Sequence, residues 1–247
     1  MTVQLLTFAD DTCRPTQRLK QPSYLDTQTK MVNFFRERFP DITSYHIYKH
    51  EDMINSDFYK ENPNDIFSPK HIVMKDKNRT IGRYLYCQAY LIYKTLNDIA
   101  DGEFLLWHDA NPTVMDKYFS DRSGKMYSLE KHMQKCIKNK GPLVWIKNNR
   151  PPIKTTASPE LLADLNANHL KNTITTCSSW IMVQKTPHSL NLWKKIYTYS
   201  TTKLPECRNC DYQDNMQEII DLMLKLENMT NFAVGQDKTI LDSFPNP

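Results

Sequence analysis

Asp109 and Asn111, two residues apart in a 247-residue chain, are the side chains whose types and spacing best suit chemistry. In an extended segment, side chains at i and i+2 point the same way, so the pair can offer two oxygens to one cation. Ala110 between them is small enough to admit a ligand. A hard divalent ion held this way keeps open positions for phosphate oxygens, which is how Mg²⁺ or Mn²⁺ meets a diphosphate. The same residues, followed by Pro112, can equally cap a strand and begin a turn. Asp237 is a further carboxylate of interest at the start of a last short helical pattern. N-capping alone explains it, and a catalytic or acceptor-binding role is the other reading. Cys207 and Cys210 have zinc-knuckle or redox spacing, but no second C-x-x-C or H-x-x-x-H accompanies them, so free thiols are the better reading.

The Asp-Ala-Asn segment has to be delivered by something rigid. Phe104-Leu105-Leu106-Trp107 precede it, four large apolar residues without alternation, which predicts a strand buried on both faces. Ahead of that run, Arg83 to Ala100 carries apolar residues at Leu85, Ala89, Leu91, Ile92, Leu96 and Ile99. That spacing predicts an amphipathic helix closed by the Asp101-Gly102 turn. Helix, tight turn, buried strand and carboxylate then follow in order, and in open α/β sheets ligands bind at the carboxyl ends of strands.

Tyr90 to Ile99 followed by Gly102 to Asn111 resembles the helix-plus-Asp-x-Asp segment of small nucleotide-sugar glycosyltransferases of the GT-A type. Stand-alone domains of that kind occur in large DNA viruses and bacterial surface-polysaccharide systems. Gln236-Asp237-Lys238-Thr239-Ile240-Leu241 is similar to the His-Asp-Gln-Ser-Ile-Leu segment near the end of such domains, and the chain begins as they do, with a short strand running into Phe8-Ala9-Asp10-Asp11. The resemblance implies an α/β chain of GT-A fold: a single Rossmann-like domain over residues 1–242 with a mostly parallel sheet flanked by helices, and 243–247 as a tail or linker. It implies transfer of a sugar from a nucleotide diphosphate sugar, a UDP-sugar favoured, to a hydroxyl of a glycan or glycoprotein. It further implies Mn²⁺ or Mg²⁺ on Asp109 and Asn111, nucleotide contacts from Phe8, Ala9 and Asp10, and a donor site including Ala110. Arg14 and Arg18 past the first strand either reach a phosphate or face solvent, and Arg79 and Arg83 ahead of the central helix either meet a diphosphate or are merely tolerated there. Asp237 is the implied base if the reaction inverts. Three departures mark the chain: Asn111 replaces the second Asp, Gln236 replaces the His, and Cys87-Gln88-Ala89 stands where Trp-Lys-Pro is frequent. Loss of the second Asp leaves a nucleotide-sugar-binding domain without turnover as the alternative.

Hydrophobic residues at 40% and charged ones at 24% describe a globular chain with ample length for a core. A formal charge of +4 suits an anionic ligand, but Lys and Arg interleave with Asp and Glu throughout, which disfavours nucleic acid as a partner. Five scattered glycines exclude G-x-G-x-x-G and Walker loops. Nothing approaches the roughly 20 apolar residues of a spanning helix, and Met1 to Phe8 does not read as a signal peptide, so a cytoplasmic chain is expected.

The remaining pattern predicts a strand over Val3 to Ala9, a helix over Thr27 to Phe39 ended by Pro40, and an alternating strand over Ser44 to Tyr48. Lys49 to Ile81 reads as a long polar connection. Beyond Asn111, the pattern predicts an exposed helix over Tyr127 to Lys138, a strand over Leu143 to Ile146, a helix from Ser158 reaching His169, and a strand over Trp180 to Val183. Helices over Thr186 to Tyr197 and over Asp214 to Leu226, the latter with Met216, Ile219, Ile220, Met223 and Leu226 buried, close the pattern.

Overall fold

A computed structural model describes residues 1–11, 23–61, 87–110, 129–146, 151–202, 216–227 and 233–234. Strand β1 is Val3–Ala9, with the bounds its sequence predicts. Helix α1 (Tyr24–Arg38) starts where three of its orphan amides find oxygens. Ser23 Oγ accepts from the Asp26 amide at 2.9 Å, and the Asp11 carboxylate accepts from those of Tyr24 and Leu25 at 2.8 and 3.4 Å. A cap of this kind contributes about 1 kcal/mol, and it commits Asp11 to structure. Phe39 closes the helix through its amide to the Phe35 carbonyl, and Pro40 cannot continue it.

Strand β2 (Ile42–Lys49) and two short helices, α2 (His50–Ile54) and α3 (Asp57–Glu61), follow. Helix α4 (Cys87–Asp98) then leads through Gly102, at φ +86°, into β3 (Phe104–His108), all of whose residues are buried. The second half comprises α5 (Leu129–Asn139), β4 (Leu143–Ile146), α6 (Pro159–Asp164), β5 (Cys177–Gln184), α7 (Pro187–Thr202), α8 (Met216–Leu226) and β6 (Ala233–Val234).

The strands form one sheet in the order β2-β1-β3-β5-β4-β6. β1 pairs in parallel with β2 and β3, and β4 with β6, while β5 runs antiparallel to β3 and β4. Among the described residues, β5 therefore opposes the common direction of the other five strands. This is the α/β architecture with a mostly parallel, helix-flanked sheet that the sequence predicts. Leu6, Leu105, Trp107, Ile181 and Val183 pack on one face against α4, α7 and α8. Val3, Leu5, Phe104, Leu106, Trp180 and Met182 pack on the other against α1 and α5. Cover on both faces is why β3 shows no polar alternation.

Four expectations need correction. The stretch from Lys49, expected as a polar connection, begins with α2 and α3, which bury Met53 and Phe58. The helix predicted as exposed is amphipathic: Leu129, His132, Met133 and Cys136 of α5 are buried at helical spacing, a stripe hidden among its lysines. The helix starting at Ser158 stops at Asp164, because Asn166 takes a left-handed φ of +53°, a conformation Asn tolerates. His169 consequently lies in a short 3-10 turn and is exposed. In α8, Glu218, Asp221 and Lys225 are buried with Ile219 and Ile220, whereas Met223 and Leu226 are partly buried.

Candidate active site at the carboxyl edge of the sheet

The chain leaves β1 toward β2 on one side and leaves β3 toward β4 and β5 on the other. The β1/β3 boundary is thus the point where successive connections diverge, the place at which open α/β sheets bind ligands. Asp10 directly follows β1 and Asp109 directly follows β3. Because the two strands are adjacent and parallel, with Leu6 opposite Trp107, both carboxylates sit at the same edge. The thiol of Cys87, the first residue of α4, records that convergence. It is pushed well above its usual range by burial first, and then by the charges of both Asp10 and Asp109.

Each carboxylate is held by its surroundings. The Asp10 side chain is only 5% exposed and lies 3.8 Å from Nδ1 of His50, which begins α2 at the end of β2. Asp109 is half-buried, and its amide donates to the Ser179 carbonyl at 2.8 Å. Its own carbonyl meets His108 Nδ1 at 2.9 Å. A carbonyl only accepts, so that nitrogen carries the imidazole proton. His108 itself points away from the edge into the α1 side of the core, against Phe35, and burial pulls its pKa down to about 4. A role for His108 beside a cation, the expectation its position invites, does not fit that orientation.

Since β5 runs against β3, its amino end lies at the same edge. Gln88 Nε2 donates to the Ser178 carbonyl at 2.7 Å, tying the start of α4 to β5. Ser178 and Ser179 are half-exposed, while Thr175 and Thr176 are buried. Ala9 and Ala110 are 2% and 1% exposed, so they set backbone spacing, and Phe8 is half-buried against the α4 side of the core.

Of the predicted site residues, the structure brings Phe8, Ala9, Asp10, Asp109 and Ala110 to one edge. Arg14, Arg83, Asn111 and Asp237 lie outside the described residues, as do Arg18, Arg79, Gln236, Cys207, Cys210 and residues 243–247. Sequence reasoning missed His50, Cys87 and the Gln88 bond. The signal for His50 was its place one residue past a strand end; for Cys87 and Gln88, nothing local distinguishes them from other helix residues.

Among the described residues, no group of three His, Cys, Asp or Glu side chains is arranged to hold a metal ion. One or two carboxylates are what Mg²⁺ or Mn²⁺ takes from a protein when phosphate oxygens and water complete the shell, and the hard oxygens of Asp109 suit that arrangement. No helix among the described residues is long and apolar enough to cross a membrane. No family model matches the sequence, and no curated protein matches it. Among solved structures, the chain is similar to the crystal structure of a glycosyltransferase involved in the glycosylation of the major capsid of PBCV-1. The identity is 10% and the TM-score 0.38, over 83% of this chain and 68% of that one.

Proposed function

We propose that this chain is a glycosyltransferase, moving a sugar from a nucleotide diphosphate sugar, UDP-sugars favoured, to a hydroxyl of a glycan or glycoprotein. The observation that carries this reading is the placement of Asp10 and Asp109 directly after the adjacent parallel strands β1 and β3, at one edge of the sheet. A carboxylate beside a pyrophosphate repels it unless a cation lies between them, so Asp109 supports a metal-bound anion as the ligand. The sugar class rests on the resemblance of the segment ending at Asn111 to the Asp-x-Asp segment of GT-A enzymes.

On this reading Asp109, with Asn111, holds Mn²⁺ or Mg²⁺, which when bound neutralises charge on the leaving diphosphate. Phe8 and Asp10 contact base and ribose, and Arg14 and Arg83 supply charge to the phosphates. In an inverting reaction Asp237 removes the proton from the acceptor hydroxyl. Asn111 in place of a second carboxylate favours one other reading, a domain that binds the nucleotide sugar without turning it over.

Thermal unfolding with UDP-sugars and Mn²⁺ tests the proposal. A donor at a hundred times its Kd should raise the melting temperature by about 5 to 10 °C. Asp109→Ala should abolish the shift, and Asp237→Asn should keep it while losing transfer. A shift that survives Asp109→Ala removes Asp109 from the site and sinks the proposal; a shift without transfer or donor hydrolysis selects the binding domain.

A further inference from the structure

Helix α8 buries three charged side chains, Glu218, Asp221 and Lys225, at 3%, 1% and 9% exposure. Lys225 Nζ pairs with Asp221 Oδ1, and the same oxygen accepts from Thr176 Oγ1 at 2.7 Å. The second oxygen of Asp221 has no hydrogen-bond partner among the described residues. Such a group is costly: burial pulls the Lys225 pKa down, and an orphaned buried oxygen carries a desolvation penalty. The buried apolar residues of α8 are Ile219, Ile220, Leu222 and Leu224, so apolar residues would fill these places without that penalty. A buried ion pair is weak evidence for stability, and what this one does is directional. It fixes the hydroxyl of a residue standing immediately before β5.

That residue lies on the active edge. Ser179, three residues on, accepts the Asp109 amide, and Ser178 accepts from Gln88. Thr176 is thus roughly 10 Å farther along the strand than the Asp109 contact, toward the exit of β3. Thr175, beside it, bonds the Pro151 carbonyl and is likewise buried.

We infer that Thr176, Asp221 and Lys225 are positioning residues: they anchor the amino end of β5 and so hold the backbone of Asp109 and the start of α4 in the geometry that donor binding needs. The inference rests on the proposed function for the role of Asp109, but its mechanical half is measured separately. Two variants test it in the full-length chain. Thr176→Val keeps the shape and removes the donor; the pair Asp221→Leu with Lys225→Met removes the charges together, a replacement that is frequently neutral or stabilising for a fold.

Hydrogen exchange at the Asp109 amide is the first readout. Both variants should speed it about five- to tenfold, the double variant at an unchanged or higher melting temperature, and Thr176→Ser should restore the wild-type rate. Unaltered exchange at Asp109 in both variants overturns the inference, whatever the chain binds. The second readout is the Kd of UDP-sugar with Mn²⁺, expected to rise in Thr176→Val and to recover in Thr176→Ser. An unchanged Kd alongside faster exchange overturns the link to the site. Failure of the wild-type chain to bind any UDP-sugar is a different outcome: it removes the proposed function, while exchange at Asp109 still decides the mechanical claim.

Discussion

Lowering the pH from 7.5 to 5 should cost this fold about 4 kcal/mol, because two imidazoles are buried in the α1 side of its core. His108 lies 5.7 Å from the Phe35 ring and opposite Trp180 in the β3–β5 pair, and burial pulls its pKa down to about 4. His132, on α5, meets Trp180 edge-on at 5.4 Å; burial, then the Lys135 charge, pull it down to about 3. An unfolded imidazole titrates near 6.5. Both folded values are depressed, so the unfolded chain takes up protons first. The stability is intact above pH 6.5 and declines as the pH falls toward 4 and then 3. At pH 5 each unfolded imidazole gains about 2 kcal/mol that its folded counterpart does not share. His46, half-buried on β2 and lowered by burial with Asp98 opposing, adds a smaller increment of the same sign. Few carboxylates titrate in this window, which isolates the imidazoles. Urea unfolding followed by tryptophan fluorescence at pH 7.5, 6 and 5 measures the loss, and His132→Leu should remove about half of the pH dependence. Equal stability at pH 7.5 and 5, or an unaltered slope in the variant, would refute the reasoning.

Two further outcomes follow from single side chains. Gly102→Ala should destabilise by about 1–2 kcal/mol through backbone conformation alone, since φ is +86° and nothing lies within 4 Å of an added Cβ; an unchanged urea midpoint would show that the turn into β3 does not need a left-handed residue. Cys87 should resist iodoacetamide near pH 8 in the native chain and react in concentrated urea, because its thiol is buried and its pKa is raised; native labelling at the rate of an exposed cysteine contradicts the placement.

The parts of the fold legible in the sequence are those whose physics is local. The Phe104 to Trp107 run announces a strand covered on both faces, and Gly102 announces the turn before it. The direction of β5 was not legible, because Trp180 to Val183 reads the same whether the strand runs with its neighbours or against them. That direction matters to the site, as it brings Ser178 and Ser179 to the edge that Asp109 occupies. On α5, lysines at the exposed positions concealed the Leu129, Met133 and Cys136 stripe, and on α6 the left-handed Asn166 is a choice that no periodicity displays.

The candidate site was legible one carboxylate at a time. Asp109 and Asp10 each stand out as the residue after a strand, but their meeting depends on the pairing of β1 with β3, which neither segment encodes alone. The departure at Gln88 acquires its meaning only in three dimensions. Where the resembled enzymes frequently carry a lysine, Gln88 spends its amide on the Ser178 carbonyl and joins α4 to β5. On the proposed function, a cation that would have faced a diphosphate is thereby exchanged for a structural bond, while the two carboxylates near it remain. On that same reading, neutralising a pyrophosphate then falls to the divalent ion and to Arg14 and Arg83. Binding of the donor should accordingly depend more steeply on Mn²⁺ here than in a relative that keeps the lysine, even though Asn111 is the weaker ligand.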